Sequence, residues 1–170
     1  MDFNKIVCEN FFDYNRELNQ SDGIIQAIYH LMHRMRKLHE SSFSSLEKRL
    51  TRTMHNCRNA DDFIKLSKTS FRNQAMRNNE LKKYLALLFF TAEWINDQAQ
   101  RYVDDAQHSR VTDQLVLSMT IIITKEFNFR SRTDWYEFVA HENKNAVERT
   151  EIPDYTIPMI LGFGIAYLLK

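Results

Sequence analysis

The chain has 170 residues and a net charge of +1 at pH 7, from 23 Lys and Arg against 22 Asp and Glu. So even a balance excludes the broad positive field with which proteins hold nucleic acid or an anionic membrane surface. A composition 44% hydrophobic, with 12 Phe and 7 Tyr, excludes a disordered chain and predicts one folded domain with a substantial core. Both prolines, Pro153 and Pro158, fall near the C-terminus, and only three glycines occur. The long proline-free run ahead of Pro153 predicts an all-α protein. Cys8 and Cys57 are too few to staple a chain of this size. The opening "MDFNKIV" is charged and amphipathic, unlike a basic segment followed by an apolar run. An intracellular, reducing location is therefore expected.

The first helical pattern runs through Phe3, Ile6, Val7, Phe11, Tyr14 and Leu18 and ends at the polar "NQSDG". A long second pattern starts at Ile24 and continues through Ile28, Leu31, Met35, Leu38, Phe43, Leu46 and Leu50, with a break expected in "HESSFSS". The polar "RTMHNCRNADD" leads to a short helix carrying Phe63, Leu66 and Phe71, for which Asp61 or Asp62 is the expected N-cap. "ELKKYLALLFFTAEWI" is nearly continuously apolar from Tyr84 to Trp94, the pattern of a helix surrounded by others. After the polar "DDAQHSR", the stretch "VTDQLVLSMTIIITKEF" is similarly apolar. In "TDWYEFVAHEN", Trp135, Phe138 and Val139 stand at i, i+3 and i+4 on one face of a helical turn. Two very apolar helices wrapped by amphipathic ones is the predicted architecture, over residues 1–150. Residues 151–170 form a separate hydrophobic tail. Its uncharged run from Tyr155 to Leu169 is shorter than the ~20 residues of a full membrane span. A buried terminal helix and a short membrane anchor both fit that length; Gly162 and Gly164 favour the anchor.

Catalytic and metal chemistry find little support in the residues. His30 and His33 could share a metal at i, i+3, but Arg34, Arg36 and Lys37 surround them and no further ligand stands at a diagnostic spacing. Cys57 is near His55, yet residues at i and i+2 diverge on a helix. Glu93 and Asp97 form an i, i+4 pair that reads better as a solvated helix end than as an acid/base pair. No phosphate-binding glycine loop is present, and the basic "KRLTRTMHNCR" reads as a solvated face. The expectation is a protein that is not an enzyme, with no cofactor, no metal and no nucleic-acid partner.

The order of these segments resembles the Bcl-2 family of apoptosis regulators. "DWYEFV" is similar to that family's second homology motif, with Trp135, Phe138 and Val139 at its Trp-x-x-Phe-Val positions. "VTDQLVLSMTIIITKEF" looks like the helix before that motif, and "NKIVCENFFDYNREL" is similar to the amphipathic fourth motif of survival-promoting members. "YLALLFFTA" resembles the first helix of the central hydrophobic hairpin, and the tail resembles a tail anchor. Two departures stand out. The Asn-Trp-Gly-Arg signature at the start of the central helix is replaced by Glu80, Leu81, Lys82 and Lys83. The third-motif segment "AIYHLMHRM" keeps Ile28, Leu31 and Met35 but lacks the Gly-Asp pair, which disfavours a killer role. The long loop after the first helix of cellular members is also missing, so the compaction resembles viral members.

The resemblance implies a Bcl-2-like helical bundle that inhibits apoptosis by sequestering BH3 helices of pro-apoptotic proteins of the Bax, Bak or BH3-only type. Such recognition is helix-in-groove, with a partner's apolar residues filling pockets between helices. The implied groove uses Met35, Phe43 and Leu46, then Leu66 and Phe71, over a floor of Lys83, Ala86 and Phe90. In that register Lys83 pairs the aspartate of the ligand helix. Trp135, Phe138 and Val139 have the structural role of sealing the domain against the central helices. The tail implies the mitochondrial outer membrane; without an anchor the chain would be cytoplasmic. A homodimer remains open. The alternative implied function is a Bcl-2-fold viral inhibitor of innate immune signalling, acting through surface contacts with its groove closed.

Overall fold

A computed structural model describes residues 2–12, 22–75 and 80–149. Among them are seven α-helices and no strand. These are α1 (Phe3–Phe12), α2 (Gly23–Leu38), α3 (Glu40–Met54), α4 (Ala60–Ala75), α5 (Leu81–Ala99), α6 (Asp105–Glu126) and α7 (Arg132–Arg149). The all-α expectation holds. Tyr14 and Leu18, placed in the first helix by periodicity, and the whole tail from residue 151 lie outside the described residues.

The helix ends are set by local chemistry. Asp22 caps α2 by accepting the Ile24 N–H at 2.9 Å, leaving one fewer orphan donor in the first turn. The break expected in "HESSFSS" is a single residue, His39, whose φ of −126° and ψ of 37° separate α2 from α3. The cap of α4 is Asn59, not Asp61 or Asp62: its Oδ1 accepts the Asp62 N–H at 2.9 Å. Asp62 in turn accepts the Arg58 N–H at 3.3 Å, and both aspartates sit in the first turn, where the helix dipole favours them. Nor is α4 short; at 16 residues it equals α2.

At the far end, Asn128 takes a φ of +56° after α6, a conformation asparagine tolerates better than most residues. Ser131 and Asp134 then form a capping box for α7. The Asp134 carboxylate accepts the Ser131 N–H at 2.7 Å, and the Ser131 hydroxyl accepts the Asp134 N–H at 3.3 Å. The Arg130 N–H, the Ser131 hydroxyl and the Ser131 N–H together hold the Asp134 carboxyl below its usual value of 3.8. A depressed folded-state value means that the stabilisation is present above pH 3.8 and is lost as pH falls through the folded value. Accordingly, Asp134→Ala should lower the melting temperature at neutral pH, and the difference from wild type should shrink on acidification below that point. A difference that persisted in acid would place the effect elsewhere.

In the bundle, α5 takes the central place. Every residue from Tyr84 to Ala92 is buried, because α1, α2, α3 and α4 all pack on this helix. The similarly apolar α6 behaves differently. It packs against α1 and α4, leaving Leu117 60% and Ile121 44% exposed on its outer side. The expectation of two enclosed central helices is thus met by α5, whereas α6 is buried along one side. Each large apolar side chain taken out of water contributes about 1.5–3 kcal/mol. Exposed ion pairs such as Lys5–Glu9 contribute about 0–1 kcal/mol. The core therefore holds the fold.

Ser67 is a polar exception inside that core. It lies one turn from Phe63 and one turn from Phe71 on the inner face of α4, fully buried, and its hydroxyl has no partner among the described residues. The neighbouring Ser70 shows the usual remedy, donating to the Leu66 carbonyl at 2.9 Å. A stranded hydroxyl costs about 1–3 kcal/mol, and alanine also favours the helix. Ser67→Ala is thus expected to raise the unfolding free energy by roughly 0.5–1.5 kcal/mol in a denaturant titration. A loss of stability would mean that the hydroxyl bonds something.

Helix α7 closes the bundle. Trp135 is 0% exposed, and its ring lies 4.4 Å from that of Phe129 and 6.3 Å from that of Phe89 on α5. Its indole N–H donates to Asn4 Oδ1 at 2.7 Å. The Asn4 amide donates onward to the Phe129 carbonyl at 2.7 Å and to Thr124 Oγ1 at 3.0 Å. One buried asparagine on α1 thereby fixes the end of α6, the following loop and α7. Val139 is buried in the same core, with Phe138 partly buried against it. At the surface, Arg132 donates to Asp22 at 2.7 Å and lies over the Phe3 ring, joining the start of α7 to the cap of α2.

Candidate functional site

The buried apolar residues fall into two clusters. The larger one is built on α1, α4, α5, α6 and α7, with Ile24 and Ile28 of α2 and Met54 of α3. A smaller one gathers Leu31 and Met35 of α2, Phe43, Leu46 and Leu50 of α3, and Ala86, Leu87 and Phe90 of α5. Five of the eight residues implied as a helix-binding groove therefore meet in one place: Met35, Phe43, Leu46, Ala86 and Phe90. The two from α4 do not join them. Phe71 is wholly buried in the main core, edge-on to Phe12 at 5.9 Å, and Leu66 is partly buried against that same core.

In this structure α3 itself covers the floor. Phe43 stands edge-on to Phe90 with ring centroids 5.3 Å apart, and the Arg36 guanidinium lies 4.9 Å from the same ring. Phe90 is left 9% exposed. What stays open is a cleft of about 280 Å³ between α3 and α4. Leu46 and Leu50 form its apolar part, Arg49 and Arg52 bring positive charge from α3, and Asn73 and Gln74 bring neutral polar groups from α4. An α-helix with side chains is about 10–12 Å across, so the cleft admits side chains but not a helix.

The hold on α3 is uneven along its length. Met54, at its C-terminal end, belongs to the main core, whereas Phe43, Leu46 and Leu50 belong only to the smaller cluster. Its N-cap residue, His39, makes no side-chain capping hydrogen bond. Met54 thus ties the C-terminal end of α3 to the main core, while the half nearest α2 is packed only in the smaller cluster.

Lys83 occupies the first turn of α5. Its ammonium lies 3.7 Å from the Glu80 carboxylate, with the side chain 23% exposed, and it does not line the cleft. The residues of α4 that do face the cleft, Ser70, Asn73 and Gln74, are polar and stand at i, i+3 and i+4. Leu66 and Phe71, which the family resemblance implies, do not line this cleft.

Among the described residues no three His, Cys, Asp or Glu side chains converge in a group able to hold a metal. Burial pushes the Cys8 thiol up to about 12, against a weaker opposing hydrogen bond with Thr120. Desolvation also raises Cys57, whose sulfur donates to the Asn59 carbonyl at 3.5 Å. Both thiols are thus held in the protonated, weakly nucleophilic form. The chain matches no protein-family profile, no curated protein and no solved structure.

Proposed function

We propose that this chain binds an amphipathic α-helix of a partner protein in the place that α3 now covers, and that the partner helix is the BH3 segment of a cell-death protein of the Bax, Bak or BH3-only type. The observation that carries the reading is the separate cluster of Met35, Phe43, Leu46, Ala86 and Phe90. It is distinct from the main core, bridged to it by the partly buried Met32, Trp94 and Phe138, and the reading requires that it open and refill while the rest of the bundle stays folded. The incoming helix supplies apolar side chains at i, i+3/i+4 and i+7 to replace those of α3. Since the competent state requires α3 to move, the observed affinity is the intrinsic one reduced by the fraction of open molecules. The order of helices and the Trp135 motif, which resemble a Bcl-2 bundle, support apoptosis inhibition as the outcome of that binding. Titration of the full chain with a panel of BH3 peptides tests the reading, and a panel without a single binder removes it.

A second reading draws on the covered floor. With Phe90 enclosed by Phe43 and Arg36, the chain would act through its outer surface, as an inhibitor of innate immune signalling with a permanently closed groove. The two differ in whether α3 opens.

For localisation, we propose the tail as an anchor in the mitochondrial outer membrane, on its uncharged run from Tyr155 to Leu169 followed by Lys170. Lysine can keep its charge among the headgroups while its stem stays apolar. Among the described residues no helix is long and apolar enough to cross a membrane, so the proposal rests on the tail. Deleting residues 155–170 should release a fluorescently tagged chain from mitochondria to the cytosol and leave peptide affinity unchanged. A full-length chain spread through the cytosol would identify the tail as something other than an anchor.

A further inference from the structure

The cleft between α3 and α4 is charged in one sense only. Arg49 and Arg52 line it, and no carboxylate among the described residues does so. Neither arginine is in an ion pair among those residues, whereas Arg110, Arg132 and Lys83 each have a carboxylate nearby. Directly beside the two cations are Leu46 and Leu50, both buried. Once α3 opens, these leucines and the arginines would form a surface with apolar and cationic groups side by side, which suits a ligand carrying a carboxylate next to its apolar side chains. We infer that Arg49, with Arg52 beside it, and not Lys83, is the residue that selects an acidic helix at this site. The inference rests on the helix-binding reading and specifies its charge recognition.

The geometry of α3 supports the assignment. If α3 pivots about Met54 as its opposite end leaves α5, the residues nearest the pivot move least. Arg52 is two residues and Arg49 five residues from Met54. Both line the cleft as it stands, and on such a pivot both would stay on the wall of the widening groove. A guanidinium presents a planar fork of donors that can hold a carboxylate in two parallel hydrogen bonds, which an ammonium cannot. Covering by the ligand then removes water from the pair and strengthens it. Lys83 already has Glu80 within reach on its own helix, so a ligand carboxylate there would compete with an existing partner.

The test uses the full chain and BH3 peptides of the Bax, Bak and BH3-only types, taking forward the tightest binder. Arg49→Ala is expected to weaken it by roughly tenfold or more, the size of a charge-assisted hydrogen bond. Replacing one acidic residue of the peptide by alanine should weaken wild type equally and should add little to the loss in Arg49→Ala. Charge exchange gives a second arm: Arg49→Glu should restore affinity for a peptide with lysine at that acidic position. Arg49 is exposed, so these variants leave the core intact. Losses that multiply at Arg49 but couple at Lys83 would overturn the assignment while leaving helix binding in place. A chain that binds none of the peptides would overturn helix binding and this assignment together.

Discussion

Trp135→Ala should destabilise the protein by about 3–5 kcal/mol, the range found when a large buried aromatic side chain is removed. The ring is fully enclosed between Phe89 and Phe129, so the vacated space cannot be filled by solvent-exposed neighbours. For a protein of this size each kcal/mol lowers the melting temperature by about 2–4 °C, giving an expected drop of roughly 6–20 °C. Thermal unfolding followed by far-UV circular dichroism reads it directly. An unchanged melting temperature together with lost peptide binding would make Trp135 a ligand contact and not the closure of the bundle.

Asn4→Ala is the second large effect. Asn4 is 2% exposed, and its side chain makes three hydrogen bonds, to Trp135, Phe129 and Thr124. Its removal strands an indole N–H and a backbone carbonyl in the core, at about 1–3 kcal/mol each. The expected total in a urea titration is about 2–4 kcal/mol, tempered by whatever water can enter. A double-mutant cycle separates the hydrogen bond from general packing. Trp135→Phe removes the stranded donor, so Asn4→Ala should cost less in that background than alone. Simple additivity would show that the two side chains are not coupled.

These two residues also mark what could be read from the sequence. Trp135 declared itself, because a tryptophan at i with Phe138 and Val139 at i+3 and i+4 has one apolar face to bury. Asn4 falls on the apolar side of α1, with Phe3, Val7, Cys8 and Phe11, but its partners lie more than a hundred residues away. Periodicity reports which face a helix buries and says nothing about which helix covers it. The same limit applies to α6. Its apolar content matches that of an enclosed helix, yet Leu117 and Ile121 face outward because only α1 and α4 pack extensively against it. On α4 the resemblance implied Leu66 and Phe71, whereas Ser70, Asn73 and Gln74 line the cleft, polar residues that no apolar pattern marks. Among the residues implied by family resemblance, Met35, Phe43, Leu46, Ala86 and Phe90 cluster, whereas Lys83 at the start of α5 and the two from α4 do not. Lys83 stood for the groove's charge through its place in a motif; Arg49 and Arg52 were visible only as part of a basic run.

The opening of α3 distinguishes helix binding from action through a closed surface. The most direct measurement is amide hydrogen exchange of the full chain, read by mass spectrometry with and without the tightest-binding BH3 peptide. The expected result is a change in protection concentrated in residues 40–50 of α3 and 83–90 of α5, with Phe3–Phe12 and the Trp135 segment unaltered. Saturable peptide binding that leaves α3 unchanged, or no binding by any peptide of the panel, would contradict the account.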